Sequence, residues 1–313
     1  MAYKPLRLIP DDTKIAFMKA SRFGFFVSGI LCTLSILLFL FVGLNVGVDF
    51  KGGTVVTIRT EQPANIDELR NKIAALGLGG AELQEFGSPN DVQIRIGTQD
   101  GGEAAQQAAV DKIKQALGPG VEYRAVEVVG PKVSGELAQQ GIIAVVLSIL
   151  CVLIYIWFRF EWQFAFGAVL SLLHDVLLTI GLFCLLQLEF NLSSIAAILT
   201  IVGYSLNDTV VVFDRIREFL RKYKKMFFAD LIDFSINSVL PRTLLTSVTT
   251  MLALLSLYIF GGEVIRGFTF TMLWGVIVGT YSSIFIASPV LILLGNIREN
   301  QALAEANAAA ARP

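Results

Sequence analysis

The 313-residue chain is 54% hydrophobic and 16% charged, with a net charge of −1. That balance lies far from the soluble average and marks a membrane protein. No GxxxxGK[ST] stretch is present and there is one histidine, which excludes a nucleotide-hydrolysing motor in this chain, HExxH chemistry and His-rich metal sites.

Residues 1–22 carry Lys4, Arg7, Lys14, Lys19 and Arg22 against Asp11 and Asp12, and are read as a cytoplasmic tail by the positive-inside rule. The apolar run 23–44 is too long for a signal-peptide core and lacks an AxA-like cleavage site, so it is read as an uncleaved first span. Residues 45–138 form a polar insert. Val55 to Thr60 alternates as a strand does, and Asn65 and Glu68 have capping spacing ahead of Ile66, Leu69, Ile73 and Leu76. Residues 81–86 and 92–96 read as two strands around a Ser88-Pro89-Asn90 turn. Val110, Ile113 and Leu117 mark a second helix, stopped by Gly118-Pro119-Gly120 before a last strand at 121–129. The order β-α-β-β-α-β predicts a ferredoxin-like sandwich. With thirteen acidic against nine basic residues, the insert is expected on the outer side of the membrane. Fold analogy further suggests that its sheet offers a face or edge, along Val55 to Arg59, to an extended polypeptide.

Residues 139–295 hold five more apolar runs near bilayer length, at about 141–158, 164–186, 193–213, 240–260 and 268–295. The fold class expected is therefore a six-helix membrane bundle with a small external α+β domain between helices 1 and 2. Cys32, Cys151 and Cys184 fall in these apolar runs and read as small hydrophobes, with no disulfide or metal role. The connection 214–239 holds Arg215, Arg217, Arg221, Lys222, Lys224 and Lys225 and is assigned to the cytoplasm, as is the tail 296–313. In the last run, Gly267, Thr271, Gly275, Gly279 and Ser283 recur every fourth residue, a stripe suited to close helix packing.

The fourth run contains Asp208, with Asn207 beside it and Tyr204 one turn away on the same face. A carboxylate at that depth costs about 2.5–3.5 kcal/mol to insert, so it needs a partner, a water path or a function. Arg242, in the next and oppositely running span, lies roughly 12 Å from the bilayer centre on the side where Asp208 lies at about 7 Å. A long side chain can close that gap, which expects an Asp208–Arg242 pair; a snorkelling arginine is the alternative. Arg242 also heads a polar stripe through Thr246, Thr249 and Ser256. His174 and Asp175, near the middle of the third run, leave two readings open: an extension of a proton relay, or a satisfied pair locking helices together. Asp214, Arg215 and Arg217 form a charged exit at the cytoplasmic boundary, either solvated or a hinge.

Five stretches, in order, carry a family resemblance: NVGVDFKGGT (45–54), VGPKVSGEL (129–137), LHDV (173–176), GYSLNDTVVVFDRIRE (203–218) and LPRTLLTS (240–247). Together they resemble SecF, the smaller half of the SecD–SecF export factors of the RND transporter superfamily. The resemblance implies a bacterial inner-membrane, multi-pass subunit with both termini cytoplasmic. It would act with SecD, using the proton gradient to drive late steps of polypeptide export after the SecYEG channel, with YajC and YidC as further partners. Unfolded secretory polypeptide would be the cargo and membrane lipid the surroundings, with no nucleic acid, metal or cofactor. The family ties the acid of GYSxND and the arginine of PRT to proton movement, which here are Asp208 and Arg242. A small-molecule exporter subunit and a passive translocon scaffold are the other function classes; scaffolding would leave Asp208 and Arg242 replaceable by neutral residues.

The charge asymmetry gives a direct test. In single-cysteine variants of intact cells labelled from outside, a cysteine at Gln99 is expected to be modified and one at Lys224 protected; the reverse pattern would invert the topology.

Overall fold

The computed structural model describes residue 10 and residues 13–295. The N-terminal residues 1–9, 11 and 12, and the tail 296–313 assigned above to the cytoplasm, lie outside the described residues. In chain order, α1 (Phe17–Phe41) leads through β1 (Asn45–Val46) and a helical turn α2 (Val48–Lys51) into β2 (Gly53–Thr60). Next come α3 (Ile66–Ala74), β3 (Ala81–Phe86), β4 (Ser88–Ile96), α4 (Gly102–Leu117) and β5 (Val121–Val129). Four long helices follow: α5 (Pro131–Arg159), α6 (Trp162–Leu186), α7 (Leu192–Lys222) and α8 (Phe228–Phe260), with β6 (Glu189–Phe190) between α6 and α7. Last, α9 (Glu263–Ser282) runs through a π-helical turn at Ser283–Ala287 into α10 (Ser288–Leu294). Two compact units result. One comprises residues 45–146 with 189–195, and so includes the starts of α5 and α7; the other comprises the described residues up to 44, 147–188 and 196–295.

The first unit is the ferredoxin-like sandwich. Its antiparallel sheet has the order β3-β4-β2-β5. Val56, Ile58, Ile94 and Ile96 from the central strands meet Leu69 and Ile73 of α3 and Ile113 of α4 in one core. Asn65 caps α3 as its spacing predicts, its side chain accepting the Glu68 N–H at 3.2 Å. Two readings need correction. The turn between β3 and β4 is at Gly87, whose φ of 81° suits a residue without Cβ, and Ser88, Pro89 and Asn90 already belong to β4. Proline is tolerated there because it stands near the strand's start. The segment Val55–Arg59 is not an edge either, since β2 is hydrogen-bonded to β4 on one side and β5 on the other. The free edges are β3 and β5.

The entry to β2 explains the paired glycines of the 45–54 stretch. Gly52 and Gly53 both adopt positive φ, 74° and 123°, and a Cβ on Gly53 would collide with the Ile96 carbonyl oxygen. Beside that turn, β1 pairs in parallel with β6, Asn45 opposite Glu189. Arg95 of β4 reaches both residues, at 3.1 Å to Asn45 Oδ1 and 2.9 Å to Glu189. Asp49 accepts the Leu192 N–H at 2.9 Å, a carboxylate set at the N-terminus of α7 where unsatisfied N–H groups favour it.

Most of the second unit consists of helices long and apolar enough to cross a membrane. Six such spans occur among the described residues, Phe17–Phe41, Pro131–Arg159, Trp162–Leu186, Leu192–Lys222, Phe228–Phe260 and Ile265–Leu294. The count of six agrees with the apolar runs; their ends do not. The expected loop 214–239 is mostly helix, because Ile216, Phe219, Leu220, Leu231, Ile232 and Ile236 continue an apolar face at helical spacing and are all buried. Phe219 stacks on Phe234 at 4.9 Å, and only residues 223–227 lie between α7 and α8. The inner helices are α6, α7 and α9, whereas α1, α5 and α8 turn many apolar side chains outward.

Close approach of α9 to α7 uses the small-residue stripe. A Cβ on Gly275 would strike Ile201, and one on Gly279 would press on Ser205 at 3.0 Å. At the other end of the bundle α1 starts without a side-chain cap of its own. Its first turn is received by α8: Asp233 accepts the Met18 N–H at 2.9 Å, and Asn237 bonds both the N–H and the carbonyl of Ile15.

A pH dependence follows for the sandwich. Arg59 grips Asp91 across strands with two hydrogen bonds of 2.7 and 2.6 Å, and this, with Ser88, holds the buried carboxyl below the ordinary carboxylate range. A lowered folded value stabilises the fold fully above the unfolded value of about 3.9 and loses that contribution as pH falls through the lowered one. Asp91→Asn is expected to cost about 1–2 kcal/mol at neutral pH and to lessen the loss of melting temperature on acidification.

Candidate functional site

Asp208 sits on α7, 7% exposed, facing α8 and α9. Thr243 of α8 donates to Oδ1 at 2.8 Å and Ser283 of the α9 π-turn donates to Oδ2 at 2.6 Å. One turn along each helix a second polar layer follows. Tyr204 donates to Ser247 at 3.3 Å, and Ser247 and Thr280 share a hydrogen bond of 2.8 Å. The spacing is helical throughout: Tyr204 and Asp208, Thr243 and Ser247, Thr280 and Ser283 stand three or four residues apart on three helices.

The two hydroxyls define the chemistry. A hydroxyl both donates and accepts, so Thr243 and Ser283 can serve an ionised Asp208 by donating and a protonated one by rotating to accept. Neither state strands a buried polar atom. An arginine, which has no acceptor, would serve only the ionised form.

Arg242 does not take the expected place. Its side chain is exposed and makes no hydrogen bond or ion pair with Asp208. Its neighbour Thr243 makes the contact instead. The reason is rotational: adjacent residues on an α-helix point about 100° apart, so α8 turns only one of the two toward α7. Asn207 is likewise exposed and stands outside the site. Of the stripe below Arg242, Thr246 and Thr249 bond back to their own helix backbone.

His174 and Asp175 lie in a separate buried cluster on α6. His174 Nδ1 is 2.9 Å from Asp175 Oδ1, and Asp175 Oδ2 accepts from Ser205 at 2.5 Å and Ser282 at 2.8 Å. Of the boundary residues, Asp214 accepts from Arg159 Nη2 at the end of α5 with both oxygens, at 2.8 and 2.7 Å, Arg217 lies over the Phe160 ring just beyond it, and Arg215 pairs with Glu218 on α7 itself. Thr243, Ser205 and Ser282 were not singled out in the sequence. The available signal was hydroxyls at the packing positions of apolar helices, which here mark the polar side of each contact.

Six apolar helices, a compact α+β insert and a carboxylate held between inner helices define a multi-pass membrane protein with a polar site inside its helical unit. The chain belongs to the SecD/SecF protein-export family. Residues 109–297 match the family described as protein export membrane protein SecD/SecF, C-terminal, and residues 37–64 match the SecD/SecF GG motif. The chain is 43% identical to the protein translocase subunit SecF of Rickettsia rickettsii, over 97% of this chain and 100% of that one. It is 45% identical to the protein translocase subunit SecDF of Brucella abortus, covering 93% of this chain and 38% of that one. The crystal structure of SecDF, a translocon-associated membrane protein from Thermus, superposes with a TM-score of 0.82 at 33% identity, over 93% of this chain and 40% of that one.

Removing one donor tests the geometry. Ser283→Ala leaves Asp208 Oδ2 without its hydroxyl and is expected to destabilise the helical unit by about 1–3 kcal/mol, read as a lowered melting temperature in bilayers. Equal stability of variant and wild type would show that this bond is not made.

Proposed function

We propose that this chain is the SecF-type half of an export complex that couples proton movement to late steps of polypeptide translocation across the bacterial inner membrane. The observation that carries the reading is Asp208: a carboxylate between inner helices whose partners are hydroxyls able to serve both of its protonation states. Protonation reverses the hydrogen bond at Thr243 or Ser283, so one proton biases the contact of α7 with α8 and α9. Moving one charge through the membrane potential supplies about 2.3 kcal/mol per 100 mV, enough to bias a two-state motion.

The partner is a SecD-type half, as the joined SecDF relatives support. The SecYEG channel, YajC or YidC, and an unfolded secretory chain are the further partners of this reading, with no cofactor. Both termini face the cytoplasm, and the sandwich faces outward. Any strand added by a translocating chain has β3 or β5 to pair with, since β2 is enclosed. Arg242, exposed beside Thr243, acts as a charge that steers Asp208 from a distance.

Asp208→Asn keeps shape and fixes the neutral state. In inverted vesicles it is expected to leave ATP-driven initiation intact and to remove the gradient-dependent late stage. Arg242→Ala is expected to weaken that stage without abolishing assembly. Full gradient dependence in the Asp208→Asn vesicles would make Asp208 a structural residue and overturn the reading.

A further inference from the structure

A second carboxylate, Asp175, is more deeply buried than Asp208 and has no part in the coupling described above. It is 0% exposed and His174 is 5% exposed, in the middle of α6. We propose that His174 and Asp175 form a second proton-binding site of the membrane unit, a dyad that holds one proton while clamping four helices.

The clamp is visible in the contacts. From α1, Ser28 meets His174 Nε2 at 3.2 Å and Tyr281 Oη at 3.0 Å. From α7, Ser205 donates to Asp175; from α9, Ser282 donates to the same oxygen and Tyr281 bonds the Gly24 carbonyl of α1. On α6 itself, Ser171 bonds Ser282 and Thr179 returns to the Asp175 carbonyl. The titratable groups near the dyad are Cys32 on α1, Tyr281 on α9 and Asp208 one turn beyond Ser205 on α7. No lysine or arginine is bonded to the dyad among the described residues.

The charge count follows from that environment. An ionised Asp175 without a cation would be an uncompensated charge in a dry interior. A neutral dyad therefore needs one proton beyond those of a carboxylate and a neutral imidazole, carried as imidazolium beside carboxylate or as imidazole beside carboxylic acid.

The dyad is not a link in a wire to Asp208, because no hydrogen-bonded chain of side chains joins them among the described residues. What joins them is the chain itself: Ser282 serves Asp175 and the next residue, Ser283, serves Asp208. With Ser282 held, Ser283 can rotate or withdraw against a fixed neighbour at the start of the π-turn. Asp175 is thus a positioning residue for Asp208, a role that rests on the coupling reading; the proton-binding role does not.

The sole histidine of the chain makes the test clean. The full chain, labelled with ¹⁵N-histidine and assembled in bilayers with an unlabelled SecD-type partner, gives one imidazole spectrum. Between roughly pH 5 and 8 the ring is expected to change protonation state, with a transition that Asp175→Asn displaces. A ring that stays in one neutral form across that range, unchanged by Asp175→Asn, overturns the proton site. For positioning, the His174→Gln/Asp175→Asn double variant keeps neutral bonding groups and removes the proton. Its gradient-driven export is expected to persist, while its rate ratio between the ends of that range falls severalfold toward about one. A profile that superimposes on the wild type overturns the positioning role. Asp208→Asn separates the two ideas: if it leaves the drive intact the coupling reading falls, and the imidazole titration still decides the dyad.

Discussion

A carboxylate removed from water must be given partners, and in the membrane unit that requirement shapes the contacts of the inner helices. Asp208 and Asp175 each recruit hydroxyls from neighbouring helices. Those hydroxyls reach because the helices lie close, and the helices lie close because Gly275 and Gly279 remove side chains where α9 crosses α7. The π-turn then begins at Ser283, where Ser282 and Ser283 point to different carboxylates on different helices. Packing and polar satisfaction are one design problem here, since a misplaced backbone would strand a charge as well as leave a void.

Hydroxyl partners also set what the site can do. An ion pair resists loss of its proton-linked charge, because neutralising one member leaves the other buried and alone. A hydroxyl pair has no such asymmetry. The arrangement around Asp208 therefore suits a group that changes state repeatedly, whereas the Arg59–Asp91 pair of the sandwich, rigid and doubly hydrogen-bonded, suits one that does not.

Much of the architecture was legible in the residues. Six apolar runs of bilayer length gave six helices, and alternation with capping spacing gave the strand and helix order of the sandwich, because burial periodicity reports directly on local geometry. Boundaries were less legible. Charge marked 214–239 as a loop, yet a one-sided apolar stripe can continue a helix past the membrane with charges on its other face. At the site, Asp208 stood out by type, but its partner did not. Depth along the bilayer pointed to Arg242, while the rotation of α8 about its own axis chose Thr243. Depth can be counted from sequence at one rise per residue; the phase of one helix against another is a tertiary quantity. The enclosed position of β2 was hidden for the same reason, since strand order depends on pairing across long sequence separations.

The cap that α8 lends to α1 has a consequence for how the chain is made. Helix α1 has no side-chain cap of its own among the described residues, and the side chains that bond its first turn follow more than two hundred residues later. Until Asp233 and Asn237 are synthesised, α1 can enter the bilayer but cannot settle into its final rotation or depth. Insertion and docking are thus separated in time, and α1 waits for α8.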